Sequence, residues 1–267
     1  MAQSLVGVGL VIRCVTTTNK RGWEEFGHRM ATAFVKYWPA DIKLTVYAEG
    51  FEPKVDGIEV REMPPWLARF KERNGDQRWK HGHTAHGYDF RFDAVKFSHK
   101  VAALTDFSDP HKEGIDIWID ADTLTHSPVT EGWLNALHPE KSQYMAWLER
   151  TNSFPECGFV MYRTSHPYHG ELMKKFRELY TQETLFTMPE YHDSFVLQQL
   201  VLAAVRANKM PHPASLSGDM GWSHPFVNGP LGSKMDHLKG PHRKTLGRSL
   251  PTDIRGRRSE DYWNKPR

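Results

Sequence analysis

Asp120 and Asp122 stand one residue apart at the end of the run Gly114-Ile115-Asp116-Ile117-Trp118-Ile119-Asp120-Ala121-Asp122-Thr123. Side chains at i and i+2 of an extended chain point the same way, so the two carboxylates can converge on one point. Converging carboxylates repel each other unless a cation lies between them. A hard divalent ion such as Mg²⁺ or Mn²⁺ suits such oxygen ligands, and it would in turn hold the diphosphate of a nucleotide. The plainer alternative is a pair of aspartates that caps a turn after a core strand. Further chemistry-bearing residues follow in the chain. Glu156 stands just ahead of the apolar run Cys157–Tyr162, where it could bind a sugar hydroxyl, and Gly158 in that run lets backbone approach closely. Asp193 and Ser194 open a helical pattern, and either could be its N-cap. His81, His83 and His86 are close enough to suggest zinc, but the glycines around them and the lack of a neighbouring cysteine favour a solvated or substrate-facing lid.

These residues need elements to place them. Ile115, Ile117 and Ile119 alternate with polar positions and Trp118, the period of a strand. The apolar stretch Leu5–Val15 reads as the first strand of a parallel sheet. It ends at Thr16, Thr17, Thr18 and Asn19, the place where open α/β sheets take ligands, or else an ordinary turn and helix cap. Trp23–Trp38 has helical spacing and stops at Pro39, and Ile42–Ala48 and Val55–Arg61 read as strands. This β-α-β rhythm predicts an α/β fold with a doubly wound sheet. Pro64–Tyr88 reads as a loop or short helices, and Phe90–Phe107 as a helix with Lys96 and Lys100 on one face. Gln143–Leu148 is a further strand, and Tyr168–Tyr180 and Phe195–Asn208 are helices. After Pro211 the chain is rich in Gly, Pro and His, and 255–267 reads as poorly ordered.

The 267 residues suffice for a sizeable core, with 39% hydrophobic and 12% aromatic side chains. Lys and Arg number 35 against 32 Asp and Glu, a net charge of +3 that does not by itself imply a nucleic-acid partner. Two cysteines, Cys14 and Cys157, make no disulfide framework and fit a reducing compartment. No apolar run is long enough to span a bilayer, so the expectation is a cytoplasmic protein with no membrane partner.

Taken in order, the N-terminal βα unit, Lys96 and Lys100, Asp120-Ala121-Asp122, Glu156-Cys157-Gly158-Phe159, Asp193-Ser194 and His237-Leu238-Lys239-Gly240 resemble the GT-A class of nucleotide-sugar glycosyltransferases. The tail looks most like the glycogenin and galactosyltransferase-like branch, and also like small glycosyltransferase-like proteins of bacteriophages. The position of that branch's terminal lysine holds Arg243, with Lys244 next, and its usual Pro-Trp is replaced by Thr245-Leu246. The resemblance implies a single GT-A (Rossmann-like) domain over 1–250, a mixed and mostly parallel sheet flanked by helices, with 251–267 as a basic tail. It implies metal ligation by Asp122 and His237, with Asp120 sharing the Mn²⁺ or Mg²⁺ or holding the ribose. Lys239, Gly240, Arg243 and Lys244 would grip the diphosphate, with Lys96 and Lys100 lining it. Thr16, Thr17 and Thr18 would bound the nucleoside. Glu156 and Asp193 would lie near the transferred sugar as the catalytic carboxylates. The donor it implies is a nucleotide-sugar, a UDP-sugar first. The acceptor stays open, and modified DNA or another polyanion is one candidate because the C-terminus is basic. The alternatives are a nucleotidyltransferase with paired aspartates and a divalent metal, or a non-catalytic nucleic-acid-binding protein. The Gly- and Pro-rich stretch before Arg248 has little core of its own, so an ion shared by Asp122, His237 and a diphosphate is expected to order it.

Overall fold

The computed structural model describes residues 10–218 and 224–264. Its centre is a seven-stranded sheet. The strands are β1 (Ile12–Asn19), β2 (Leu44–Glu49), β3 (Glu59–Glu62), β6 (Ile115–Ile119), β8 (Met145–Leu148), β9 (Glu156–Arg163) and β10 (Ala214–Ser215). They lie in the order β10-β8-β9-β6-β1-β2-β3. β1 pairs in parallel with both β2 and β6, β2 with β3, and β8 with β10. β9 alone is antiparallel, to β6 on one side and β8 on the other. The sheet is therefore mixed and mostly parallel, as the alternation of strand and helix patterns leads one to expect. Every residue of β6 and β9 is buried, so the charged Asp116 of β6 needs the Arg13 it pairs with.

Helices cover both faces. One face carries Pro65–Asn74, Ala94–Phe107, His169–Thr181 and Asp193–Arg206, whose apolar sides meet Val15, Trp118, Val160 and Tyr162. The other carries His28–Tyr37 and Glu131–Leu137 over Cys14, Leu44, Ile117 and Met161. Both cysteines are free and buried. Among the described residues no helix is long and apolar enough to cross a membrane.

Five sequence expectations change. Part of the expected first strand, residues 5–9, lies outside the described residues, and β1 runs on through Thr16, Thr17 and Thr18 instead of ending there. The helix expected over 23–38 opens with a π-helical turn, Trp23–Gly27, before becoming α-helical at His28. Pro64–Tyr88 contains a full helix, Pro65–Asn74, and runs into a hairpin of β4 (His81–Thr84) and β5 (Gly87–Asp93). β5 takes the first turn of the helix expected from Phe90. Tyr88, Phe90 and Phe92 alternate with Asp89, Arg91 and Asp93, which is strand period. Finally, 251–264 folds back onto the domain. Trp263 is buried with its indole donating to Gly232 O at 2.8 Å, and Arg258 donates to Val227 O at 3.1 Å.

Candidate active site

The carboxyl end of β6 sets the site. β6 is the central strand, and its ladder with β9 continues past its end, where Asp120 N donates to Gly158 O at 2.9 Å. A turn follows, with Thr123 N donating to Asp120 O, and leads into β7 (Thr123–Thr125). β7 pairs antiparallel with β11 (Met235–His237), opposing His237 to Thr123. One step further, Leu238 N donates to Asp122 O at 2.9 Å. This short ribbon carries His237 to the aspartates. The β7–β11 pairing thus joins the Gly- and Pro-rich segment to the aspartate turn through its backbone. β9 makes room for it. A Cβ on Gly158 would lie 2.7 Å from the His237 ring, closer than real Cβ contacts come, so only glycine lets the imidazole pack flat against the strand.

The side chains converge. His237 Nε2 is 3.1 Å from Asp122 Oδ1 and 3.8 Å from Asp120 Oδ2. One ligand atom from each of the three residues lies within 4.8 Å of the others. His237 Nδ1 is 2.6 Å from Glu156 Oε1. Burial alone would lower the imidazole's pKa, but the carboxylates of Asp122 and Glu156 outweigh it and push it up to about 10. The same contacts act on the acids. Burial would raise Asp122, but His237 and Lys244 hold it well below the usual carboxylate range. Burial would likewise raise Glu156, but Lys239 and His237 hold it low.

Two lysines bracket the cluster. Lys244 Nζ is 2.8 Å from Asp122 Oδ2 and lies 4.1 Å from the centre of the Phe26 ring. Lys100 reaches across from the helix Ala94–Phe107. Its ammonium is 3.0 Å from Asp120 Oδ1, 2.8 Å from Asp193 Oδ2 and 2.5 Å from Cys157 O. Its three N–H donors thus have three acceptors. Burial would lower its pKa, but Asp120 and Asp193 raise it above the ordinary lysine value. Asp120 Oδ1 also accepts from Trp118 Nε1 at 2.6 Å.

The structure sorts the sequence candidates. Asp120, Asp122, His237, Lys100, Asp193 and Lys244 form one connected cluster. Glu156 joins it from behind. It is 2% exposed and bonded to the histidine, so it does not face a sugar as the sequence suggests. Asp193 is the first residue of its helix and not the cap. His192 caps, accepting from Phe195 N, which leaves the Asp193 carboxylate for Lys100. Lys239 is half-exposed, with Nζ 3.9 Å from Glu156 Oε2. Gly240, at φ 83°, turns the chain from β11 into the helix Pro241–Leu246 that bears Lys244. Arg243 on that helix points elsewhere, to the Asp253 carboxylate at 2.7 Å and to Lys239 O. Lys96 is exposed, with its ammonium 5.5 Å from the Phe97 ring centre. The Thr17 hydroxyl donates to Tyr47 O and that of Thr18 to Asn19 O, while Thr16 is buried. His81 lies 3.2 Å from Asn74 O, and His83 and His86 are exposed on the hairpin. Among the described residues these three form no metal-sized group.

Sequence reasoning missed three residues here. Trp118 stands at i−2 from Asp120, and the strand period places it on the same side. Phe26 lies in the π-helical turn, whose extra residue leaves no mark in the spacing. Glu49, at the end of β2 beside β1, pairs with Lys71 and with His99 Nε2, the latter at 2.7 Å. Burial opposes that pairing, but the His99 hydrogen bond acts first and holds Glu49 down to about 2.

No family model and no curated protein matches the sequence. Solved structures do. Mouse xyloside xylosyltransferase 1 superposes with a TM-score of 0.42 at 8% identity, over 76% of this chain and 85% of that one. A glycosyltransferase involved in glycosylating the major capsid of the virus PBCV-1 gives 0.45 at 11% identity, over 88% and 98%. The bifunctional glycosyltransferase WbbM gives 0.47 at 10% identity, over 87% of this chain and 46% of that one. These are glycosyltransferases. At such values the likeness lies in the course of the chain, and the chemistry has to be argued from the site itself.

Proposed function

We propose that the chain is a divalent-metal-dependent glycosyltransferase that moves a sugar from a nucleoside-diphosphate sugar to an acceptor hydroxyl. The observation that carries this is the convergence of Asp120, Asp122 and His237 at the carboxyl end of the central strand. The donor set fits Mn²⁺ or Mg²⁺. Ligands about 2.1 Å from an octahedral ion stand roughly 3 Å from one another, which is the 3.1 Å between His237 Nε2 and Asp122 Oδ1. Glu156 supports the same reading. A carboxylate on Nδ1 keeps that nitrogen protonated, so an ion that displaced the Nε2 proton would meet the Nε2 lone pair beside the aspartates.

When bound, the ion supplies positive charge against the negative charge that builds on the departing diphosphate. Lys244, poised on Asp122, and Lys239 at the rim supply the rest. Arg243 is committed to Asp253 and is not part of this grip. Lys100 has no donor left for phosphate. It holds Asp120 and Asp193 at fixed separation, and so ties the donor side to the acceptor side. Asp193 is the carboxylate that faces the sugar, either as general base on the acceptor hydroxyl or as stabiliser of the cationic sugar. Thr16, Thr17 and Thr18 toward the end of β1 would bound the nucleoside, with a UDP-sugar as the first donor to try.

The test is a panel of nucleotide-sugars incubated with the purified protein and Mn²⁺, with release of nucleoside diphosphate measured. Release that EDTA abolishes supports the proposal. Pyrophosphate release from nucleoside triphosphates would instead identify a nucleotidyltransferase. Binding of polynucleotide, with neither release, would identify a nucleic-acid-binding protein.

A further inference from the structure

Among the described residues the exposed Trp, Tyr and Phe side chains are three, Trp79, Tyr88 and Phe90, at 46%, 56% and 45% exposure. All fall within twelve residues of chain, on or just before the β4–β5 hairpin. An exposed aromatic patch on an otherwise well-buried domain marks a binding surface. The hairpin is anchored to the segment that ends in Asp193. Tyr191 N donates to Arg91 O at 2.7 Å, Phe92 packs edge-on against Tyr191 at 5.7 Å, and the Phe90 ring stands 5.4 Å from the His192 ring. Phe154 continues the row on the far side, 4.2 Å from His192. A cleft of about 440 Å³ opens on the hairpin, lined by Thr84, His86, Tyr88, Phe90, Phe92 and the Asp89–Arg91 pair.

We infer that this hairpin is the acceptor subsite, and that the acceptor is a carbohydrate whose ring stacks on Phe90 and Tyr88 while its hydroxyl points to Asp193. The inference rests on the transferase reading above. A sugar ring presents an apolar face of C–H groups and a rim of hydroxyls. Aromatic faces beside the exposed His86 imidazole match both. Charge separates this occupant from a stacked nucleic acid, which needs cations along its phosphates. Residues 81–93 carry only Asp89, Arg91 and Asp93. Arg91 is held by Asp89 at 2.6 Å and faces Glu190 at 3.7 Å. Asp93 accepts from the Tyr88 hydroxyl and caps the helix Ala94–Phe107. Residues 81–93 therefore offer stacking surface without a Lys or Arg to spare, the exposed Arg78 and Lys96 lying outside the hairpin.

The experiment takes the full chain with Mn²⁺ and the nucleotide-sugar that it hydrolyses fastest. It measures transfer to a panel of methyl glycosides, with oligothymidylate as the competing acceptor. The expected result is transfer to at least one glycoside, with Phe90→Ala raising the KM for that glycoside about tenfold or more, the loss of a stacking contact. Phe90→Tyr should restore it. Melting temperature confirms that both variants fold. Saturation-transfer NMR of the same glycoside should show its ring protons contacting the wild type and not Phe90→Ala. An unchanged KM in Phe90→Ala, no transfer to any glycoside, or transfer to oligothymidylate alone would each overturn the inference while hydrolysis continues. Absence of nucleotide-sugar hydrolysis in the wild type would instead remove the transferase reading beneath it.

Discussion

His237 Nε2 lies 3.1 Å from Asp122 Oδ1 although 115 residues separate them in the chain. The pair is brought together by the β7–β11 ribbon, and it closes a cluster that neither residue forms alone. Asp122→Ala and His237→Ala are each expected to abolish Mn²⁺ binding in titration calorimetry. The double variant should be no worse than either single one, because one shared ion is lost in every case. Additive, partial losses would mean that the two residues act at separate places. Because backbone pairing places His237, His237→Ala should keep the ribbon's protection from proteolysis.

Glu156 touches the ring of His237 and lies behind it. Glu156→Gln should weaken Mn²⁺ affinity about 10- to 100-fold, as for other groups that orient a ligating histidine. The protein should stay folded, since Gln retains the shape. An affinity within twofold of the wild type would show that the 2.6 Å contact has no part in ligation.

Asp193→Asn removes the charge opposite Lys100 and is expected to lower transfer by about two orders of magnitude. Because His192 and not Asp193 caps the helix, the stability cost should come through Lys100, whose ammonium loses one of its two carboxylates. Asp193→Ala should then destabilise by roughly 1.5–3 kcal/mol, the cost of one hydrogen bond to a charged group while Asp120 still pairs the ammonium. Urea unfolding of the two variants measures this. Near-normal turnover in Asp193→Asn would take the residue out of the chemistry.

Asp116 is fully buried in β6 beside β1, where Arg13 Nε donates to it at 2.8 Å and Ser108 Oγ at 3.0 Å. Asp116→Ala leaves the guanidinium without its partner and is expected to destabilise by about 3–5 kcal/mol, with no change in Mn²⁺ affinity. A loss under 1 kcal/mol in denaturant unfolding would show that water replaces the carboxylate.

His126 stacks on Tyr262 with ring centres 4.0 Å apart and meets Trp263 edge-on, which fastens the C-terminal segment. Burial pushes its pKa down to about 4 from an ordinary 6.5. The folded protein therefore holds it neutral while the unfolded chain takes up a proton. Its contribution is full above pH 6.5 and falls as the pH drops toward 4, by on the order of 2–3 kcal/mol. Cleavage of the 251–264 segment by a protease active in acid should rise between pH 7 and pH 5, and His126→Phe should flatten that rise. An equal rise in both proteins would place the acid sensitivity elsewhere.

The sequence by itself determined the elements and the aspartate pair. Period-two alternation over Ile115–Ile119 marks a strand, because strand geometry depends only on neighbouring residues, while Asp120 and Asp122 stand in the turn just past its end and are aimed by that turn. The β-α-β rhythm likewise carried the α/β class, since short links between alternating elements leave few topologies. The β5 strand was misread, because its polar, glycine-rich start reads as a loop and Phe90–Phe107 as a helix, although Tyr88, Phe90 and Phe92 alternate at strand period. Tertiary structure alone decided what each residue meets. Glu156 precedes an apolar strand in any reading. Only the antiparallel placement of β9 beside β6, and the glycine at 158, put its carboxylate behind His237. Asp193 could cap its helix on local grounds until Lys100, from another helix, claimed its charge. Arg243 and Lys244 are adjacent and alike in sequence, yet the short helix that carries them sends one to Asp253 and the other to Asp122. Periodicity reports the face on which a side chain lies. Its partner is chosen by how the faces pack, and that choice is made by contacts far apart in the chain.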